Sequence, residues 1–391
     1  MNLERVRPFK VEIPQQALDD LRMRLERTRL PDEIADSGWE YGTNLAYIRE
    51  LLDYWRTSYD WRRHERELNS LNHYEADVGG LRVHFIHQTG RAGRASKPLL
   101  ILHGWPGSVY EFMRIIPLLA EPAAQGEPAA NESFTVVAPS LPGYGFSERP
   151  RKAGMNVTAI ADLLFRLMTD VLGYRHFVVQ GGDWGAVIGS CMAKLHPQNV
   201  HALHLNMVGA IPAQGRKFSD LSEAEQLFLK EAERFRSLEA GYQAIQGTKP
   251  QTLAYGLNDS PVGLAAWIIE KFRTWSDCGG DVERCFSKDQ LLSNVSIYWF
   301  TETIGSSIRL YCEQFRRPWR LAAGEKVEVP TALAVFPREI LRPPRSWVER
   351  LYNLKRWTAM ASGGHFAAME QPEALAADIR AFLSEVGLAG Q

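Results

Sequence analysis

A Gly-x-Asp-x-Gly turn closes a short apolar run in the segment Val178–Gly185, which reads Val-Val-Gln-Gly-Gly-Asp-Trp-Gly. This pattern predicts a strand that ends in a sharp turn and leads into a helix, with Gly181 and Gly185 as the small neighbours that a crowded turn requires. The carboxylate of Asp183 could then attack an sp3 carbon, such as that of an epoxide or an alkyl halide, and form an ester. Because aspartate and glycine are also common in ordinary loops, the role of Asp183 depends on its partners.

A second turn, His103–Ser108, reads His-Gly-Trp-Pro-Gly-Ser and follows the predicted strand Leu99–Leu102. A turn of this kind at the carboxyl end of a strand can direct a backbone N–H into a cleft. We expect the N–H groups of Trp105 and Trp184 to form an oxyanion hole for a tetrahedral intermediate. The alternative is a plain strand-to-helix turn in which Ser108 caps the helix.

A general base and its acid come late in the chain. Of the ten histidines, only His365 lies in a setting that indicates exposure on a tight loop, directly after a glycine pair. Glu339 follows the predicted strand Thr331–Phe336, and its role would be to orient the imidazole and to stabilise the imidazolium. Asp378 and Glu349 are the competing acids, but both fall in helical patterns, where we interpret them as solvated.

The composition describes a globular chain without a strong charge bias. The chain has 391 residues, 45% of them hydrophobic, and a net charge of −1, which predicts a large core and gives no indication of binding to nucleic acid or to a membrane. A small neutral substrate fits this composition better. The sequence has neither a signal peptide nor an apolar run long enough to span a bilayer, and this predicts a cytoplasmic protein.

The cysteines and histidines show no pattern typical of a metal site. Four cysteines occur without paired spacing, so we expect reduced thiols, with no metal and no organic cofactor.

Hydrophobic periodicity predicts an α/β fold with helical additions. Residues 1–72 read as an N-terminal helical extension, 73–211 as the first part of the core, 212–326 as a helical lid and 327–391 as the second part of the core. The lid would include helices at Leu264–Trp275 and Val295–Glu313. The predicted strands are His73–Val78, Leu81–His87, Leu99–Leu102, Phe134–Ala138, Phe177–Gln180, Ala202–Asn206 and Thr331–Phe336; the last five should pair in a parallel sheet covered by helices.

Taken together, four motifs resemble the microsomal and juvenile-hormone type of epoxide hydrolase over nearly the whole chain. They are His103–Ser108, Gly181–Gly185, Ser260–Trp267 and Gly363–Ala368, and the segment Pro8–Pro14 looks like the start of that family's N-terminal domain. The resemblance implies an α/β-hydrolase fold and a soluble relative without the membrane anchor of the microsomal members.

The resemblance also implies the roles of five side chains. Asp183 would be the nucleophile, His365 the base and Glu339 its acid, while Tyr242 and Tyr311 would donate hydrogen bonds to the epoxide oxygen. Opening an epoxide at neutral pH leaves an alkoxide, so the chemistry independently requires such donors. Periodicity alone does not distinguish Tyr242 from Tyr255, nor Tyr311 from Tyr298.

We therefore expect hydrolysis of an epoxide to a vicinal diol through an ester of Asp183 that water activated by His365 cleaves. The nearest alternative is a haloalkane dehalogenase, which would use the same aspartate and histidine but needs no paired phenols. A binding protein on a catalytically silent hydrolase scaffold is the alternative from another class.

The sequence restricts the substrate only loosely. Aromatic lid residues suggest a pocket for an apolar or aromatic epoxide, although ordinary packing would require them equally; they are Trp267, Trp275, Trp299 and Phe300. Detoxification, catabolism of aromatic hydrocarbons and biosynthesis of a secondary metabolite all stay open. The same holds for the oligomeric state, for which a homodimer is one option.

Overall fold

A computed structural model describes residues 6–90, 96–121, 133–209 and 218–388. Within these ranges, nine strands form one sheet in the order β1-β2-β3-β5-β4-β6-β7-β8-β9. The first three strands are joined to one another and to β5 by antiparallel pairing, and every other pair is parallel. The strands are β1 Val6–Pro8, β2 His73–Val78, β3 Leu81–Gln88, β4 Lys97–Leu102, β5 Phe134–Pro139, β6 Phe177–Gly181, β7 Val200–Leu205, β8 Val327–Val335 and β9 Tyr352–Ala359.

The central strands are apolar on both faces because each face has its own helical layer. Along β4, Leu100 and Leu102 enter the core on one side, whereas Leu99 and Ile101 enter a second core on the other. This is the two-residue alternation of a strand, and all four side chains are fully buried. Continuous apolar runs in these strands thus reflect a sheet that is buried on both faces.

Fifteen α-helices occur in the described ranges. Two of them, α5 and α6, pack together over one face, while α4 and α15 cover the other. The helices are α1 Gln15–Glu26, α2 Leu45–Thr57, α3 Trp61–Leu68, α4 Ile115–Ala120, α5 Val157–Arg166, α6 Asp183–Leu195, α7 Glu223–Leu238, α8 Gly241–Thr248, α9 Pro250–Asp259, α10 Pro261–Trp275, α11 Lys288–Thr301, α12 Ile304–Arg316, α13 Arg345–Leu351, α14 Ala367–Glu370 and α15 Pro372–Glu385. No helix in these ranges has both the length and the hydrophobicity needed to cross a bilayer.

Helices α7 to α12 lie between β7 and β8 in the chain, and the N-terminal helices pack against this group. Polar contacts tie the two parts together. The hydroxyl of Thr43 donates to the carbonyl of Ala266 (2.8 Å), and that of Tyr54 donates to Asp289 (2.8 Å). The N-terminal segment therefore supports the helices that the sequence predicts as a lid.

The structure contains all seven predicted strands and adds two at the edges of the sheet. β1 was missed because three residues carry no periodic signal, and β9 because Lys355 and Arg356 interrupt its apolar pattern. The prediction of one helix over Val295–Glu313 was wrong: Glu302 adopts φ +54° and separates α11 from α12. The predicted boundary at 211/212 lies outside the described residues, and the domain limits stay a prediction.

Candidate active site

Asp183 lies at the point where β6 ends and α6 begins, and its backbone adopts φ +47°. The turn is crowded, as the sequence predicted. A Cβ on Gly185 would lie 2.1 Å from the carbonyl oxygen of Leu102, and one on Gly104 would lie 2.1 Å from Oδ1 of Asp183. Only glycine allows β4 and its following loop to approach the turn this closely.

One backbone N–H binds the Asp183 carboxylate, and a second, from the next residue in the chain, has no acceptor within its own helix. The N–H of Trp105 donates to Oδ1 over 2.8 Å. The N–H of Trp184 belongs to the first turn of α6, where N–H groups have no acceptor within the helix. The arrangement suits an oxyanion hole centred on the carboxyl group of Asp183 itself.

A helix of the lid region holds the His103–Ser108 loop in place, a feature that the sequence did not predict. On α11, Asn294 donates to the carbonyl of Pro106 (2.8 Å) and accepts from the hydroxyl of Ser108 (2.8 Å). The hydroxyl of Tyr298 donates to the carbonyl of Gly107 (2.7 Å). All three contacts join residues almost two hundred positions apart, so no local pattern could have revealed them.

His365 faces Asp183 on one side and Glu339 on the other. Nε2 of His365 is 3.4 Å from Oδ2 of Asp183, and Nδ1 is 2.7 Å from Oε1 of Glu339. Burial works against the imidazolium, but the negative charges of Glu339 and Asp183 outweigh it and raise the pKa of His365 well above its usual value. The structure thus brings together the predicted nucleophile, base and acid.

The expectation of an exposed histidine was wrong. His365 is only 5% exposed, because its loop packs against the end of α10. Its backbone N–H donates to the carbonyl of Trp275 (2.9 Å), and Gly363 turns the chain with φ +104°. The glycine pair therefore allows the loop to pack closely under the lid and does not expose His365 at the surface.

The two competing acids lie elsewhere. Glu349 is exposed and pairs with Arg345 one turn away. Asp378 is not solvated as predicted: it is 4% exposed and binds His204, Arg356 and Thr358. These contacts occupy both of its oxygens with structural partners.

The two predicted tyrosines lie on α8 and α12, close enough to Asp183 for its charge to act on both phenols. The rings of Tyr242 and Tyr311 lie 5.8 Å apart, and Tyr242 stacks on Trp105 at 5.3 Å. Burial raises the pKa of both phenols, and the charge of Asp183 raises it further, so both stay protonated and able to donate.

The alternatives to these tyrosines are placed differently. Tyr255 is 72% exposed, and the Tyr298 hydroxyl is engaged with the carbonyl of Gly107. The geometry therefore favours Tyr242 and Tyr311 over the two residues that periodicity could not separate from them.

Of the four lid aromatics singled out from the sequence, one belongs to the site. Trp275 is buried against His365 (5.1 Å) and Tyr242 (5.2 Å). The others pack away from Asp183: Trp299 against Arg24, Phe300 against Trp61, and Trp267 through a hydrogen bond to Gln246. We therefore assign Trp267, Trp299 and Phe300 to packing.

The four cysteines are unpaired. Within the described ranges, no group of three or more His, Cys, Asp or Glu side chains is arranged to hold a metal ion.

The mostly parallel sheet, the sharp turn at Asp183 between β6 and α6 and the late histidine together define an α/β-hydrolase. Comparisons with known proteins agree. Residues 97–252 match the alpha/beta hydrolase fold family, and residues 6–112 match the family described as Epoxide hydrolase N terminus.

Similarity to individual proteins extends over nearly the whole chain. Epoxide hydrolase 1 of Sus scrofa is 43% identical, with 97% of this chain and 89% of that one covered. Juvenile hormone epoxide hydrolase 1 of Ctenocephalides felis is 36% identical, with coverage of 96% and 84%. The crystal structure of juvenile hormone epoxide hydrolase from the silkworm Bombyx mori superposes with a TM-score of 0.89 at 32% identity and covers 100% of this chain and 97% of that one. This chain belongs to the microsomal and juvenile-hormone type of epoxide hydrolase.

Proposed function

We propose that this epoxide hydrolase works through a covalent ester of Asp183. The observation that carries the proposal is the position of the Asp183 carboxylate, with one oxygen held by the Trp105 N–H at 2.8 Å and the other 3.4 Å from Nε2 of His365. The oxygen that no backbone N–H holds can attack, while its partner is already held where an oxyanion will develop.

In the first step, Oδ2 of Asp183 forms a bond to an epoxide carbon and the carbon–oxygen bond of the ring breaks. Tyr242 and Tyr311 donate hydrogen bonds to the leaving oxygen, and one phenol gives its proton to the alkoxide, which becomes a hydroxyl group. The resulting phenolate is reprotonated from solvent. The product of this step is a hydroxyalkyl ester.

In the second step, His365 removes a proton from water, and the water oxygen attacks Cγ of Asp183. The N–H groups of Trp105 and Trp184 stabilise the oxyanion on Oδ1. Glu339 holds the imidazole and stabilises the imidazolium. Collapse of the intermediate breaks the ester bond, and the imidazolium protonates the leaving oxygen, so that the vicinal diol leaves. The Asp183 carboxyl group then releases the remaining water proton to solvent, which restores the carboxylate.

The charge on Asp183 couples the two steps. That charge raises the pKa of His365 in the free enzyme, and ester formation removes it. The pKa of His365 should therefore fall when the base is needed, which favours the neutral imidazole in the hydrolytic step.

A single turnover in ¹⁸O-water tests this route. With enzyme in excess, the diol should be largely unlabelled and the label should enter the peptide that contains Asp183, because water attacks the ester carbonyl. His365→Gln should stall the second step and raise the intact mass by one substrate. Labelled diol in the first turnover, together with no adduct in His365→Gln, would refute the proposal.

An apolar or aromatic epoxide is the substrate class that we propose. Support comes from the aromatic rings around the nucleophile: Trp105 stacks on Tyr242, and Trp184 meets Tyr311 edge-on at 4.8 Å. A higher kcat/KM for styrene oxide than for propylene oxide would agree with this, and the reverse order would contradict it. The cytoplasmic location and the homodimer stay predictions.

A further inference from the structure

A small cavity lies beside Asp183 and His365, next to the His103–Ser108 loop. Its volume is about 20 Å³, and its polar lining includes Glu111 and Asn206. A cavity of roughly 10–15 Å³ is large enough for one water molecule when polar groups surround it. The site therefore has room for a single water next to the two groups that must act on it.

Glu111 comes from a 3-10 turn at Val109–Phe112, and its carboxyl group reaches back over the preceding loop. A Cβ on Gly107 would lie 1.6 Å from Oε1 of Glu111. The missing side chain at position 107 thus makes room for this carboxyl, as the missing side chain at Gly104 makes room for that of Asp183.

The carboxyl group of Glu111 makes no hydrogen bond to any residue in the described ranges, although it interacts electrostatically with His365 and Asp183. The side chain of Glu111 is partly buried, and polar groups that are withdrawn from bulk water normally have a partner. A water molecule in the adjoining cavity would supply one.

On the basis of the covalent route proposed above, we propose that Glu111 is a positioning residue that holds the hydrolytic water in this cavity. The water directs one hydrogen to Nε2 of His365 and the other to a carboxyl oxygen of Glu111. Its lone pair then points at Cγ of Asp183. When the new carbon–oxygen bond forms, His365 receives the first proton, and the second stays on the oxygen and remains hydrogen-bonded to Glu111.

The protonation state of Glu111 suits this role. Burial raises its pKa to about 8, and although His365 opposes the shift, the charge of Asp183 adds to it. At pH 7 the group is mainly neutral. It can then accept a hydrogen bond through its carbonyl oxygen without competing with His365 as a base and without placing a second negative charge beside the oxyanion.

The test measures the rate of ester formation and the rate of ester decay separately. Samples are quenched rapidly, and the intact-protein mass reports the fraction of enzyme that carries the ester. Glu111→Leu keeps a similar volume but removes the acceptor, so ester decay should slow by about ten- to a hundredfold while ester formation keeps its rate. Glu111→Gln retains a carbonyl acceptor and should slow decay much less. Gly107→Ala should reproduce the leucine variant, because its methyl group takes the space of the carboxyl.

Two controls distinguish the possible failures. Glu349→Leu removes an exposed carboxylate from α13 and should change neither rate. If His365→Gln traps the ester but Glu111→Leu and Gly107→Ala both decay at the wild-type rate, the water-positioning role is wrong and the covalent route stands. If His365→Gln traps no ester, the covalent route itself fails. Equal slowing of ester formation and ester decay in Glu111→Leu would show that Glu111 has only a structural role and would overturn the proposal. If Glu111→Leu does not fold, Gly107→Ala and Glu111→Gln decide by the same criteria.

Discussion

At the scale of single residues, Asp183 has an unfavourable backbone conformation that its contacts stabilise. A non-glycine residue at φ +47° costs about 1–3 kcal/mol. The hydrogen bond from Trp105 and the packing of β4 against the turn hold the residue in this conformation. The strained turn directs the carboxylate out of the sheet, towards His365 and the two tyrosines.

The paired tyrosines should partly substitute for each other. Because both phenols serve one developing alkoxide, Tyr242→Phe or Tyr311→Phe alone should leave measurable turnover, and the double variant should lose far more. A positioned donor is typically worth about 10²-fold or more. Steady-state kinetics measures the effect, with Tyr255→Phe as a surface control, and full activity of the double variant would contradict the assignment.

The titration of His365 should report the charges beside it. Carboxylates at Asp183 and Glu339 favour the imidazolium, so Asp183→Asn should lower the pKa of His365 relative to the wild type. The measurement is an NMR titration of the imidazole resonances. Glu349→Gln is the matched control, since Glu349 lies on an exposed helical face. An unchanged pKa in Asp183→Asn would mean that the two side chains do not interact in solution.

At the scale of elements, the turn between β6 and α6 depends on how closely its neighbours approach. α6 begins beside the carboxyl end of β4, and Gly185 is the point of contact. The same principle applies in the loop that follows β4, where Gly104 and Gly107 admit two carboxyl groups. Small residues at these positions determine how the catalytic groups can meet.

Two glycine-to-alanine substitutions in helices should have opposite effects on stability. In Gly185→Ala the new methyl group would meet the Leu102 carbonyl at 2.1 Å, and overpacking of this kind costs about 1–3 kcal/mol. A Cβ added at Gly256 on α9 would meet no atom within 4 Å, so Gly256→Ala should stabilise by up to about 1 kcal/mol through helix propensity. Urea unfolding measures the free energy of unfolding of both variants. An unchanged value for Gly185→Ala would show that the turn can relax.

At the scale of the whole molecule, the chain surrounds its active site with parts that are distant in sequence. The proposed nucleophile and base follow strands of the sheet, Tyr242 and Tyr311 lie on α8 and α12, and α11 holds the His103–Ser108 loop. The N-terminal helices provide no catalytic group, but they pack on α10 and α11. We infer that they stabilise the arrangement of the lid over the sheet.

This support predicts coupling between the N-terminal helices and the lid. Leu51 on α2 is 1% exposed, so Leu51→Ala should lower the free energy of unfolding by about 2–5 kcal/mol. The substitution should also increase hydrogen exchange in α10 and α11. Leu227→Ala on α7, where the side chain is 57% exposed, should cost little. Loss of stability without faster exchange in α10 and α11 would show that the lid is held independently of α2.

The sequence by itself determined the parts of this protein that rest on local pattern. Buried parallel strands appear as apolar runs. A sharp turn from a strand to a helix leaves no space for side chains on either side of its central residue, which explains the glycines beside Asp183. These features predicted the α/β core and Asp183 without knowledge of long-range contacts, and the glycine pair before His365 indicated that histidine. The chain order of nucleophile, acid and histidine pointed to Glu339 after a late strand. The resemblance of four motifs to a known family then extended the prediction to the two tyrosines.

Only the tertiary structure decided the features that depend on distant partners. Tyr242 differs from Tyr255 by what lies opposite each side chain, and Asp378 is buried because His204, Arg356 and Thr358 surround it. The same applies to the cavity beside Glu111, whose walls come from several separate segments of the chain. Periodicity records which face of an element is apolar, but the identity of the neighbour across that face is set by packing between elements far apart in sequence.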